Sequence, residues 1–223
     1  MTIEHLIQVE NIRKEYLWGS STIPAIKNMD FVIDDGEFIS IIGQSGSGKS
    51  TLLSILGGLN HPTKGQVFID TLDVYELTSE QRADFRSEYI GIVFQSFQLI
   101  PYLTVLENIM LPMVITNGKT AEKRNKGMAV LDKVGLANKA DRLPDQLSGG
   151  EQERVAIARA IVNKPPILLA DEPTGSLDTG TAEEVMELLK QLNDSGQTII
   201  MVTHNPEMCR YSHRTINVKD GEC

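Results

Sequence analysis

A chain of 223 residues, 41% hydrophobic and 23% charged, has the make-up of a soluble globular protein large enough to bury one substantial core. Its formal net charge of −9 argues against broad attraction to DNA, RNA or anionic lipid, so no nucleic-acid partner is expected. No apolar run approaches the roughly 18 residues that span a bilayer, Met1-Thr2-Ile3-Glu4-His5 lacks a signal peptide's basic region, and Cys209 and Cys223 have neither metal-ligand nor disulfide spacing, as suits a cytoplasmic chain without direct membrane insertion.

Residues 6–16 and 23–33 alternate as strands do, and predict a small antiparallel sheet joined by the polar connector Trp18-Gly19-Ser20-Ser21-Thr22. Tyr16 ends the first strand, where an aromatic at a sheet edge needs no further role. Asp34-Asp35-Gly36 is a hairpin-like turn into the apolar strand 38–42. Then comes Gly43-Gln44-Ser45-Gly46-Ser47-Gly48-Lys49-Ser50-Thr51, which fits G-x-x-x-x-G-K-[ST] between a strand and a helix-prone run. Each residue type there has a task. Glycines let the backbone curl so that successive N–H groups face a phosphate, and the helix starting near Gly48 adds its positive dipole end. Lys49 supplies a mobile cation for the β- and γ-phosphates, and Ser50 a hydroxyl ligand for Mg²⁺.

After a turn at 61–65 the chain returns as a strand over 66–70, forms a polar helix over 79–88, and enters an apolar strand that stops at Gln95. From there to about residue 165, segments 104–115, 121–134 and 150–163 have helical spacing or propensity. They predict a helical lobe (95–164) inserted into an α/β core (1–94 and 165–223), the whole being one domain. Within 97–109, Phe97, Leu99, Ile100, Tyr102, Leu103 and Ile109 form either a partner-docking surface or the lobe's own small core. Leu147-Ser148-Gly149-Gly150-Glu151 opens the last of these helices, as a simple cap or as a second anion site.

The run 166–171 reads as a buried parallel strand ending in Asp171, with Glu172 directly after it. The carboxyl end of such a strand is where α/β sheets bind ligands. There Asp171 can hold a metal's water shell and Glu172 can reach an attacking water, although either could simply cap a turn. An amphipathic helix over 181–193 and a strand over 198–202 follow, ending at Thr203-His204. A histidine there is structural, or shares a layer with Asp171. A last strand covers 214–218, and the absence of internal repeats leaves one catalytic unit.

In this order the motifs Tyr16, 43–51, Gln95, 147–151, 167–172, Ser176-Leu177-Asp178 and His204 resemble those of the ATPase subunit of an ABC transporter, over about 6–221. The Leu-Ser-Gly-Gly-Glu element separates that family from other phosphate-loop proteins. The resemblance implies a P-loop NTPase fold, with a mainly parallel sheet, a small antiparallel β subdomain and an inserted helical subdomain. It implies ATP and Mg²⁺ as cofactors. Tyr16 would stack on adenine, and Gly43, Ser45, Gly46, Ser47, Gly48, Lys49, Ser50 and Thr51 would wrap the phosphates. Ser50, Gln95 and Asp171 would serve Mg²⁺, Glu172 would act as general base, and His204 would contact the γ-phosphate. Ser148, Gly149 and Gly150 would meet the ATP of the opposite subunit, and Asp178 would help form the contact between subunits.

The runs 94–101, 103–109 and 171–178 look like the macrolide-export and lipoprotein-release group, although Ser176 stands where asparagine is commoner, and Glu151 and Glu153 where glutamines are frequent. The short stretch after its last strand predicts that the regulatory domain of many importer ATPases is missing. The element at 147–151 has no useful task within its own subunit, and the helical lobe separates it from the phosphate loop. A head-to-tail homodimer would place each cap over the other subunit's ATP, with an integral-membrane permease as the further partner at the inner face of the cell membrane. ABC ATPases that act on nucleic acid need basic surfaces, which a charge of −9 opposes. A regulatory ATPase that signals through a membrane partner without moving a solute fits the same residues.

Overall fold

Strands with alternating burial open the chain: β1 (Ile7–Trp18) and β2 (Ser21–Ile33) pair antiparallel, with Ile7 opposite Ile33 and Trp18 opposite Ser21. The computed structural model describes residues 5–19 and 21–223, so residues 1–4, read for a signal sequence, and Ser20 of the connector lie outside the described residues. The strands run further than the sequence suggests. Leu17, Trp18, Ser21 and Thr22 belong to the ladder, and Tyr16 is an interior strand residue opposite Ile23 rather than the strand's end. Exposed hairpin strands need no apolar alternation to keep their hydrogen bonds, which is why periodicity alone stopped short.

The turn at Asp34–Gly36 is also not a hairpin. It carries the chain out of the antiparallel sheet into β3 (Phe38–Ile42), which belongs to a second, wholly parallel sheet. Helix α1 (Lys49–Leu56) follows, then β4 (Lys64–Ile69) and β5 (Leu72–Asp73), which complete the first sheet in the order β2-β1-β4-β5. Helix α2 (Ser79–Tyr89) starts at a capping box in which Thr78 and Gln81 each satisfy the other's backbone N–H.

Strand β6 (Ile90–Val93) leads into α3 (Val105–Met110), α4 (Thr120–Lys133) and α5 (Gly149–Ile161), with 3-10 turns at Leu111–Met113, Ala137–Lys139 and Pro144–Gln146 between them. Strand β7 (Ile167–Asp171), α6 (Thr179–Asp194), β8 (Thr198–Thr203) and β9 (Arg214–Asn217) complete a five-stranded sheet ordered β6-β7-β8-β3-β9. The core strands are apolar on both faces, as a covered parallel sheet requires. Leu168, Ala170, Ile199 and Met201 pack toward α3, α5 and α6, while Ile167, Leu169, Ile200 and Val202 pack toward α1 and the antiparallel sheet.

The segment 97–109 is divided between core and surface. Ile109 is 0% exposed, Phe97 and Leu99 pack on the cluster beneath α5, and only Tyr102, at 78%, stands out in solvent. Buried Asn108 pins the loop ahead of α3: its amide oxygen accepts from Ile100 N at 2.7 Å and its Nδ2 donates to the carbonyls of Ile100, Leu103 and Thr104. Of the two readings, the lobe's own core accounts for Phe97, Leu99 and Ile109, while Ile100 and Leu103 are half-buried outside the main clusters and Tyr102 stays in solvent. Among the described residues no helix is long and apolar enough to cross a membrane.

Candidate active site

All five core strands run the same way, so the loops after β3, β6, β7 and β8 emerge on one edge of the sheet. Register places Ile42 beside Thr203, Val202 beside Asp171, and Ala170 beside Val93. The residues just beyond these ends form a cleft of about 470 Å³ lined by Ala25, Ser45–Gly46, Gly48–Thr51, Gln95, Glu172 and His204.

Gly48 makes the loop possible. Its φ of +103° is a conformation that side chains resist, and a Cβ there would lie 2.4 Å from the Ala25 carbonyl oxygen on β2. Lys49, 7% exposed, folds back so that Nζ donates to the carbonyls of Gly43 at 2.8 Å and Gln44 at 2.9 Å. An ammonium group has three donors, so one remains beyond those two bonds. Ser50 Oγ donates to Asp171 Oδ1 at 3.2 Å. Burial raises the Asp171 carboxyl above the ordinary aspartate range; the Ser50 hydrogen bond opposes this, Glu172 adds to it, and Lys49 opposes it.

Glu172 sits at φ +52°, a left-handed turn that non-glycine residues adopt at a cost of about 1–2 kcal/mol. Its N–H still bonds the Val202 carbonyl at 2.9 Å, and its Oε2 lies 2.6 Å from His204 Nδ1. The strained turn therefore aims the carboxylate across to the end of the neighbouring strand.

A hydroxyl, a single carboxylate and an amide oxygen are hard donors. Mg²⁺ bound with a nucleotide takes one or two carboxylates, with phosphates and waters supplying the rest. Ser50, Asp171 and Gln95 fit that description. Among the described residues no group of three or more His, Cys, Asp or Glu side chains could hold a metal alone.

Other residues singled out in the sequence lie elsewhere. Gly43 and Ser47 line a depression on the far side of the loop, against 217–220. Tyr16 is outside the lining of the cleft; its hydroxyl accepts from Asn60 Nδ2, and Lys14 Nζ stands 5.0 Å from its ring centre. Ser148, Gly149, Gly150 and Asp178 are absent from the lining too, and they do have tasks within their own subunit, contrary to the expectation. Ser148 caps α5, accepting from Glu151 N, while Glu151 accepts from Ser148 N and pairs with Lys139. A Cβ on Gly150 would lie 2.1 Å from Thr181 Cγ2, and Asp178, the cap of α6, accepts from both Thr181 N and Thr181 Oγ1. Those Thr181 bonds hold the Asp178 carboxyl below its usual range. The second glycine thus lets α5 lie against α6.

Sequence reading gave no sign of Ala25, whose contact with Gly48 is purely tertiary, nor of the burial of Glu153. That side chain is 1% exposed with Oε1 unpartnered, and burial pushes its carboxyl up to about 8, with Arg159 opposing. Unfolding returns it to its ordinary value of 4.5. Above that pH the unfolded chain releases a proton that the folded chain retains, so stability falls as pH rises and the loss is complete above about 8. Glu153→Gln is expected to remove a penalty on the order of 2–4 kcal/mol. In thermal melts its advantage over the wild type should open between about pH 5 and pH 8; a gap that does not vary with pH contradicts this.

Comparison with known proteins gives a consistent picture. The profile of the ABC transporter family matches residues 26–175. The ATP-binding protein MJ0796 of Methanocaldococcus jannaschii is 47% identical over 97% of this chain and 94% of its own, and YvrO of Bacillus subtilis is 44% identical over 97% and 95%; both are described as uncharacterized ABC transporter ATP-binding proteins. The macrolide export ATP-binding/permease protein MacB of Syntrophobacter fumaroxidans is 43% identical over 97% of this chain, which spans 31% of that protein. A dimeric structure of MJ0796 in a post-hydrolysis state, bound to ADP and Pi, superimposes with a TM-score of 0.89 at 45% identity, covering 97% of this chain and 95% of that one.

Proposed function

This chain belongs to the ABC transporter family as an ATP-binding subunit with ATP hydrolase activity, and from that premise we propose that ATP closes a head-to-tail pair of these subunits and that Mg²⁺-dependent hydrolysis reopens it, driving a separate membrane permease. One observation carries the reading: Lys49, Ser50, Gln95, Glu172 and His204 line one cleft, with Asp171 bonded to Ser50, while the Ser148–Gly150 helix start is outside it. A second subunit, turned head to tail, supplies that helix start from across the interface. The dimeric relative bound to ADP and Pi supports the arrangement.

In this mechanism the loop amides of 45–51 and the Lys49 ammonium hold the β- and γ-phosphates. Ser50, Asp171 and Gln95 would hold Mg²⁺, which when bound would neutralise phosphate charge. Glu172 accepts the proton of a water whose oxygen attacks the γ-phosphorus as the bond to the β-phosphate oxygen breaks and ADP leaves. His204, already against Glu172, fixes the carboxylate and reaches the γ-phosphate. Tyr16 stacks on adenine, and Asp178 supports the facing surface through α6.

The helical segment 95–164 is the permease-facing lobe. A groove between the α/β core and this lobe exposes Leu59, Phe94 and Ile115, flanked by Arg86. It offers three exposed apolar side chains to an amphipathic cytoplasmic segment of a permease, where the 97–109 stretch exposes Tyr102 alone among its large apolar residues. Likeness to the macrolide exporter favours outward extrusion of a drug, peptide or lipoprotein, with the subunit held at the inner face of the cell membrane. Leu59→Glu and Ile115→Glu, both at exposed positions, should each lower co-purification with the permease by about tenfold or more and leave ATPase activity of the free subunit unchanged. Normal assembly of both variants would place the docking site elsewhere.

A further inference from the structure

The loop that carries Gln95 is held in a conformation it would not adopt alone. Phe97 and Gln98 are consecutive non-glycine residues with φ of +56° and +51°. A left-handed φ is unfavourable for any residue with a Cβ, so two in succession need an external restraint. Local bonds are sparse: Phe97 N bonds the Phe94 carbonyl at 3.2 Å, and Gln98 N the Ser96 carbonyl at 2.5 Å.

The restraint comes from α5. Arg159 Nη2 donates to the Phe97 carbonyl at 2.6 Å, and Nη1 donates to the Gln98 carbonyl. A planar guanidinium fork fits two successive carbonyls in a way that a lysine ammonium does not. At the other end of the same helix, a Cβ on Gly149 would lie 4.0 Å from Phe97 Cζ, so the Phe97 ring reaches the Ser148–Gly150 turn. One helix therefore grips the loop twice, by its first turn and by Arg159. Glu153 lies on the same helix, and burial keeps its carboxyl largely protonated at neutral pH. It makes no ion pair with Arg159, which leaves the fork to the loop.

We infer that Arg159 is a positioning residue for ATP hydrolysis: by locking the left-handed Phe97–Gln98 pair it aims Gln95 into the cleft and ties Gln95 to the helix that begins at Ser148. The inference rests on the role proposed above for Gln95 at the phosphates. Arg159 is not among the residues that line the cleft, and its effect is on how often Gln95 is in place.

The test is a double-mutant cycle on the full chain, measuring steady-state hydrolysis of Mg-ATP and equilibrium ATP binding. Arg159→Lys keeps the charge and loses the fork; its kcat should fall by about tenfold with its ATP Kd within about twofold of wild type. Gln95→Ala should lower kcat by itself, and adding Arg159→Lys to it should cause no further loss. Glycine takes a left-handed φ without penalty, so Gln98→Gly, at an exposed side chain, should restore much of the kcat lost in Arg159→Lys. A purely structural arginine would not be rescued in that way. Arg159→Met keeps the stem packing and stands in if the lysine variant does not fold. Wild-type kcat in Arg159→Lys, or an equal loss with and without Gln95, overturns the latch. Failure of both Arg159 variants to fold makes the residue structural and overturns it too. If Gln95→Ala has wild-type kcat, the role of Gln95 itself is wrong and the latch falls with it, an outcome distinct from a latch that fails while Gln95 matters.

Discussion

Lys49→Ala is expected to weaken ATP binding by a hundredfold or more, equivalent to about 3 kcal/mol, and to abolish measurable hydrolysis. The side chain is nearly buried, at 7% exposure, so its charge acts on a bound phosphate with little screening from water. Without nucleotide its ammonium is held by the carbonyls of Gly43 and Gln44. Removing it leaves the carbonyls of Gly43 and Gln44, which line the neighbouring depression against 217–220, where water can replace the lost donor. The melting temperature should therefore change little, by the equivalent of about 1 kcal/mol. Fluorescent-nucleotide titration together with a thermal melt separates the two effects. Wild-type affinity in a folded variant would remove Lys49 from the phosphate site.

Glu172→Gln is expected to lower kcat by about 10²–10⁴-fold while retaining ATP affinity. The amide keeps the shape and can still bond His204, which lies 2.6 Å from Oε2 in the wild type. It cannot take up a proton from water. Nothing in the left-handed turn at φ +52° distinguishes glutamate from glutamine, so the fold should not change. Single-turnover hydrolysis with a parallel binding measurement tests the assignment. A variant that hydrolyses ATP at the wild-type rate would show that another group accepts the proton.

The phosphate loop was legible because its chemistry sits in consecutive residues, and the wider cleft because parallel strands put their carboxyl ends on one edge. From that rule Asp171, Glu172 and His204 are expected together, and the family resemblance adds Gln95; Gln95, Glu172 and His204 do line one cleft, with Asp171 bonded to Ser50. What could not be read was tertiary. The Arg159 contacts join residues 61 and 62 positions apart. Gly150 against Thr181 depends on two helices meeting at their first turns. The apolar run 97–109 gave no sign of which way its side chains would turn, and Asn108, a polar residue buried among them, sets that loop through four hydrogen bonds. Glu153 carries the lesson furthest: a charged residue in the middle of a helix reads as solvated, yet it lies in the core.

The central claim is that one subunit's phosphate loop and another's Ser148 cap enclose the same ATP, and sedimentation velocity of Glu172→Gln tests it most directly. With Mg-ATP the variant should sediment as a dimer, and without nucleotide as a monomer. Adding Ser148→Arg should return it to monomer in Mg-ATP although its phosphate loop still binds nucleotide; loss of the helix cap costs only about 1 kcal/mol and should leave the chain folded. A nucleotide-loaded monomer at every ATP concentration, or a dimer indifferent to Ser148→Arg, would contradict the account.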